Sequence, residues 1–94
     1  MDKQMTQCYQ RNPAAETAPL GQGLVVLEPG ARKFCALNAT SSLIWARLQE
    51  PASVELLAKH IVDNYDDISE SDAFRDVESI IQEMMALGIV VPVR

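Results

Sequence analysis

Apolar residues recur with two different periods in this chain, and the change falls at Asn38. Before it come short runs bounded by turn residues. Leu24-Val25-Val26-Leu27 is a β-branched run of strand length, entered through Gly21-Gln22-Gly23 and left through Glu28-Pro29-Gly30-Ala31. Arg32 to Leu37 returns as its partner, with Lys33, Cys35 and Leu37 on one face and Phe34 and Ala36 on the other. Pro13 to Leu20 supplies a further short, weak strand, which the prolines at both ends confine to an edge or to its first residues. Residues 1–12 are polar and show no period, so they read as a flexible N-terminal tail, perched on the domain through Tyr9 at most, and the domain proper spans residues 13–94.

After Asn38 the period becomes helical. Asn38 is a good N-cap, and Leu43, Ile44, Trp45 and Leu48 form the apolar stripe of a first helix that Glu50-Pro51-Ala52 ends. Ser53 caps a second helix, where Val54, Leu57, Ala58, Ile61, Val62 and Tyr65 follow the i, i+3, i+4, i+7 template. A third starts near Ser69 or Ser71, with Glu70 and Asp72 where the helix dipole favours negative charge. It continues through Phe74, Val77, Ile80, Ile81, Met84, Met85 and Leu87 to a natural stop at Gly88. Ile89-Val90-Val91 is a candidate final strand. The order predicts an α+β fold, a three-stranded antiparallel sheet followed by three helices. Such a sheet needs helices on one face to be stable.

The chain has 94 residues, 48% of them hydrophobic and 22% charged, with a formal net charge of −5. That size suits one modest core, and that composition is globular rather than disordered. The acidic balance opposes binding to a phosphate backbone and suits a neutral or basic partner. Cys8 and Cys35 form no CxxC pair and read as reduced thiols, no signal peptide is expected, and no apolar run approaches a membrane span. These features predict a cytoplasmic chain with no membrane contact.

Catalytic chemistry finds little to use. His60 stands on the polar face of the second helix with Leu56 and Asn64 at i±4, so a surface role is expected rather than a metal or a base. Asp66, Asp67, Glu70 and Asp72 lack the spacing and glycine of a calcium loop. Gly21-x-Gly23 is a turn, too short for a dinucleotide fingerprint. The chain is expected not to be an enzyme and to need neither cofactor nor metal.

Three stretches carry a resemblance to a known family. Leu37-Asn38-Ala39-Thr40-Ser41-Ser42-Leu43-Ile44-Trp45-Ala46-Arg47-Leu48 resembles the core pattern LN-x-[ST]-x-x-x-[IL]-[WL]-x-x-[LC] of PqqD-like proteins. Ser53 to Ile61 occupies the place of t-v-e-e-[IL]-a-x-x-[LI], and Asp76 to Val90 that of D-V-x-x-[FI]-[LI]-x-x-L-x-x-x-G-[LW]-[LI]. Each pattern alone is common; together, in order and at this spacing, they are moderately specific and cover residues 24–90. The resemblance implies a RiPP recognition element, a small winged helix-turn-helix-like domain. Such domains bind the leader segment of a ribosomally synthesised precursor peptide and deliver it to a modifying enzyme, a protease, cyclase or other tailoring enzyme. Family members take the leader as an extra strand on the third β-strand, with the third helix as the groove's other wall. The Leu-Tyr-Pro-Glu-Gly-like stretch usual in pyrroloquinoline quinone synthesis is only partly echoed by Leu27-Glu28-Pro29-Gly30. The Ile44-Trp45 pair is more similar to the discrete partners of lasso-peptide systems.

The residues admit such a site. If the strands lie in chain order, Arg32 to Leu37 is a free edge, and an exposed edge offers unpaired backbone groups to a partner strand. The expected peptide-binding residues are Arg32, Lys33, Phe34, Cys35, Ala36 and Leu37 on the strand. On the third helix they are Asp76, Ile80, Glu83 and Leu87, a stripe at steps of three and four. Ile80 and Leu87 would be the apolar floor and Asp76 and Glu83 the polar rim. The competing reading makes Ile80 and Leu87 ordinary core residues, as Trp45 is expected to be. An exposed edge also allows a homodimer. DNA binding through the winged helix is the alternative function, opposed by the third helix, which carries Glu70, Asp72, Asp76, Glu78 and Glu83 against Arg75.

Overall fold

The computed structural model describes residues 7–21, 23–30 and 32–93. Its strands are β1 (Cys8–Arg11), β2 (Glu16–Leu20), β3 (Gly23–Glu28), β4 (Lys33–Leu37), β5 (Ala52–Ser53) and β6 (Val90–Val93). Its helices are α1 (Ala39–Arg47), α2 (Val54–Asn64) and α3 (Glu70–Ala86). The α+β class therefore holds, with β2, β3 and β4 forming the three-stranded antiparallel sheet in that order.

Turn chemistry sets the register of this sheet. Gly21 takes φ +61°, the left-handed region that a two-residue hairpin turn requires, and Leu20 pairs with Gly23 across it. At the next turn Arg32 N–H donates to Pro29 O at 3.2 Å, and Arg32 itself sits at φ 56°. The register then runs from Glu28↔Lys33 through Val26↔Cys35 to Leu24↔Leu37. Opposed residues share a face, so Val26, Cys35 and Leu37 turn inward together. Val26 and Leu37 are buried there with Ile44, Trp45 and Leu48 of the α1 segment. Trp45 Nε1–H reaches Thr17 Oγ1 at 3.3 Å, tying α1 to β2.

Each helix begins where a side-chain oxygen can accept a free N–H. Asn38 Oδ1 accepts from Ser41 N at 2.8 Å, Ser53 Oγ from Leu56 N at 3.1 Å, and Ser69 Oγ from Asp72 N at 3.1 Å. Such caps contribute about 1 kcal/mol each. At its other end α3 closes in a Schellman motif. Gly88, at φ +80°, donates to Met85 O at 3.0 Å and Ile89 N–H donates to Met84 O at 3.0 Å. Ile89 and Met84 are both buried, supplying the apolar contact that accompanies the motif. The helices pack through Leu57, Ala58 and Ile61 on α2 and Ala73, Val77, Ile81 and Met84 on α3.

From Cys8 to Asn12 the structure corrects the reading of residues 1–12 as a tail. Cys8–Arg11 forms β1, the central strand of a second antiparallel sheet in the order β5-β1-β6. Arg11 Nε and Nη2 donate to Trp45 O at 2.9 and 2.7 Å, and the guanidinium lies 4.5 Å from the Trp45 ring centroid. Asn12 N and Nδ2 donate to Ile89 O and Gly88 O at 2.9 and 2.8 Å. Backbone pairing and these polar contacts hold the strand in place, and none of them requires apolar alternation. The domain therefore includes β1. Met1 to Thr6 lie outside the described residues.

Candidate peptide-binding groove

Among the described residues two sheets present four edge strands, and three are poorly suited to accept another. β2 carries Pro19, β6 carries Pro92, and β5 is two residues long. Proline removes a ladder donor and short strands offer few bonds, the usual protections of an edge. β4 is five residues long, has no proline and borders only β3. Among the described residues it is the one edge strand longer than two residues that carries no proline.

The hairpin register shows which β4 groups are free. The pair that closes a two-residue turn exchanges both of its hydrogen bonds, and bonded and unbonded pairs alternate from there. Leu20↔Gly23 is that closing pair, so Pro19↔Leu24 is unbonded, as proline's missing N–H also requires. Leu24, Val26 and Glu28 therefore turn their backbone groups to β4, where Leu37, Cys35 and Lys33 receive them. The N–H and C=O groups of Phe34 and Ala36 face outward.

The side chains divide by face. Phe34, 67% exposed, and Ala36 lie on the outer face with Val25 and Leu27. Lys33, exposed, and Cys35, half-buried, lie on the inner face. Arg32 is exposed at the hairpin turn. Leu37 is 6% exposed and packed in the core. This corrects its assignment as a side-chain contact for a peptide, because both its backbone groups and its side chain are already committed to the fold. On α3, Asp76 and Glu83 are exposed, while Ile80 and Leu87 are half-buried. Ile80 packs against the core from its margin, so the two competing readings of this residue both describe part of its surface.

The wall formed by α3 runs antiparallel to β4. A Cβ on Gly88 would lie 3.5 Å from Glu28 Cγ, and Glu28 pairs with Lys33, which puts the end of the helix at the hairpin end of β4. Glu83 lies further back, close enough to Cys35 for its carboxylate to act on the thiol. Burial first and the Glu83 charge second push the Cys35 thiol up from its usual range. Asp76, Ile80 and Leu87 share the helical stripe of Glu83. Phe74, half a turn from Glu83 around the helix, faces elsewhere. It closes a hollow of about 390 Å³ with Ala58 and Val62 of α2.

Sequence reasoning placed Phe34 and Ala36 on the outer face but missed the apolar patch that Phe34 makes there with Leu27. Leu27 and Phe34 are opposed in register, both exposed, and with Glu16 and Pro29 they line a shallow hollow of about 340 Å³. The signal was present in the alternation of Val25, Leu27, Phe34 and Ala36, since the outer face of a half-solvated sheet is ordinarily polar.

A family model described as coenzyme PQQ synthesis protein D (PqqD) matches residues 23–90. The chain belongs to the PqqD family. No curated protein sequence matches it. Among solved structures, a lasso peptide synthetase B1 complexed with the leader peptide is 25% identical, with a TM-score of 0.77 over 89% of this chain and 98% of that one. TbiB1 in complex with the TbiA(beta) leader peptide is 20% identical, with a TM-score of 0.76 over 86% of this chain and 93% of that one. The PqqD match includes β3, β4 and all three helices, so both walls of the groove lie within it. Strands β1 and β2 lie outside the matched span. Among the described residues, no helix is long and apolar enough to cross a membrane.

Proposed function

We propose that this PqqD-family protein binds the leader segment of a ribosomally synthesised precursor peptide. The leader adds as a strand to β4, using the outward backbone groups of Phe34 and Ala36. Its inward side chains lie against Cys35 on one side and Ile80, Glu83 and Leu87 on the other. The observation that carries this reading is the proline-free, five-residue edge of β4, with the exposed Glu83 of α3 near Cys35. The likeness to a lasso peptide synthetase B1 complexed with a leader peptide supports it. Main-chain bonds supply the affinity and the pockets between β4 and α3 supply the choice of sequence.

The protein acts by binding rather than catalysis and hands the leader to a modifying enzyme, a maturation protease or other tailoring enzyme, in the cytoplasm. Two free thiols fit a reducing compartment. DNA gains no support from the geometry. The acids Asp76 and Glu83 stand exposed on α3, where phosphates would meet repulsion instead of releasing counterions.

Isothermal titration with the leader of the precursor encoded beside this chain's gene tests the proposal. Micromolar or tighter binding is expected, on the order of −8 kcal/mol. Absence of both heat and NMR shift changes contradicts it.

A further inference from the structure

The two walls of the groove have matching spacings. From Gly88, which abuts Glu28 at the Lys33 end of β4, five residues back along α3 to Glu83 is about 7.5 Å. From Lys33 to Cys35 along β4 is about 6.7 Å. Ile80 lies about 12 Å from Gly88, and Leu37 lies about 13 Å from Lys33. By these spacings the inner face of the groove has three levels: Lys33 with Leu87, Cys35 with Glu83, and Ile80 beside the buried Leu37.

A strand added to β4 sends alternate side chains onto these levels. The outer two levels offer apolar surface, from half-buried Leu87 and from Ile80 above the core. The middle level offers a carboxylate. Among the described residues neither Glu83 nor Asp76 has an ion-pair partner; Arg75 of α3 reaches Asp72 instead, at 3.7 Å. At the hairpin level Lys33 and Glu28 are opposed in register and their charges offset, so the uncompensated carboxylate stands at the middle level.

We infer that the groove selects an extended peptide with the pattern apolar-x-basic-x-apolar, its basic side chain lying between Cys35 and Glu83. The inference rests on the strand-addition reading above and names the chemistry of the leader that fits it. The pattern is symmetric about its centre, so it holds whether the added strand runs parallel or antiparallel to β4. Asp76, one turn beyond Ile80, extends the same acidic wall and favours a chain that is basic overall at this point. Part of the attraction acts through solvent and weakens with salt.

A charge-reversal cycle tests it. The synthetic leader of the precursor encoded beside this chain's gene is titrated in its native form and with the central basic residue of the pattern changed to Glu. Each peptide is titrated against the wild-type protein, Glu83→Gln and Glu83→Lys. Reversal on either side is expected to weaken binding roughly tenfold, with Glu83→Gln intermediate, and reversal on both sides to restore most of the loss. Thermal unfolding of the variants should match wild type, because Glu83 is exposed. A leader that binds wild type and Glu83→Lys equally, or one that binds without a basic residue between two apolar ones, overturns the inference and leaves strand addition standing. A leader that does not bind wild type at all contradicts strand addition itself.

Discussion

Glu83 on α3 acts electrostatically on Cys35 of β4, although 48 positions separate them in the chain; the pair joins the two walls of the groove. Burial and the Glu83 charge both disfavour the thiolate, so Cys35 reacts slowly with alkylating agents at neutral pH. Glu83→Gln removes the smaller of the two causes. The pH–rate profile of iodoacetamide labelling at Cys35, read by peptide mapping, should then move to lower pH without reaching that of a fully solvated thiol. A profile that does not move would separate the two walls.

The outward orientation of Ala36 gives a sharp contrast between neighbours. Ala36→Pro removes a donor that the fold does not use, so it should cost less than about 1 kcal/mol of stability while abolishing leader binding. Cys35→Pro removes a donor spent on β3 and should cost about 3 kcal/mol. Urea denaturation followed by the fluorescence of Trp45 gives the stabilities, and titration gives the binding. Equal binding by a folded Ala36→Pro variant would show that the edge is not used.

Most of the site's framework was legible in the sequence because it depends on local rules. The turns at Gly21 and Pro29, the caps at Asn38, Ser53 and Ser69, and the stop at Gly88 are each set by residues within a few positions. Chain-order pairing of β2, β3 and β4 then follows from short turns. What escaped was non-local. Strand β1 is held by β5, β6 and the Trp45 carbonyl, partners spread across the whole chain, and Cys8 to Arg11 has no apolar alternation to announce it. Leu37 could not be placed as core from its strand alone, because its burial depends on the packing of α1. The Asp76–Leu87 side of α3 was readable as a stripe, and its pairing with the Arg32–Leu37 strand came from the family resemblance and not from the residues.

Arg11 fastens β1 to α1. Its guanidinium gives two hydrogen bonds to Trp45 O and stacks on the indole. Arg11→Ala should destabilise the domain by about 2–3 kcal/mol, and Arg11→Lys should recover only part of this because it lacks the planar fork. Chemical denaturation checks both. An unchanged midpoint would mean that the β1 contacts are dispensable.

Ile80 tests the floor of the groove. Half-buried, it should lose about 1–2 kcal/mol of stability as Ile80→Asp, and leader affinity should fall more than tenfold. A stability loss of about 4 kcal/mol or more would assign the side chain wholly to the core.

Amide hydrogen exchange, measured residue by residue with and without the leader, tests strand addition most directly. In the free protein the Phe34 and Ala36 N–H groups face solvent and should exchange quickly, as should Thr17 on the opposite edge of the same sheet. Leader binding should slow Phe34 and Ala36 strongly and leave Thr17 unchanged. A bound leader that leaves Phe34 and Ala36 exchanging as before would contradict strand addition at β4.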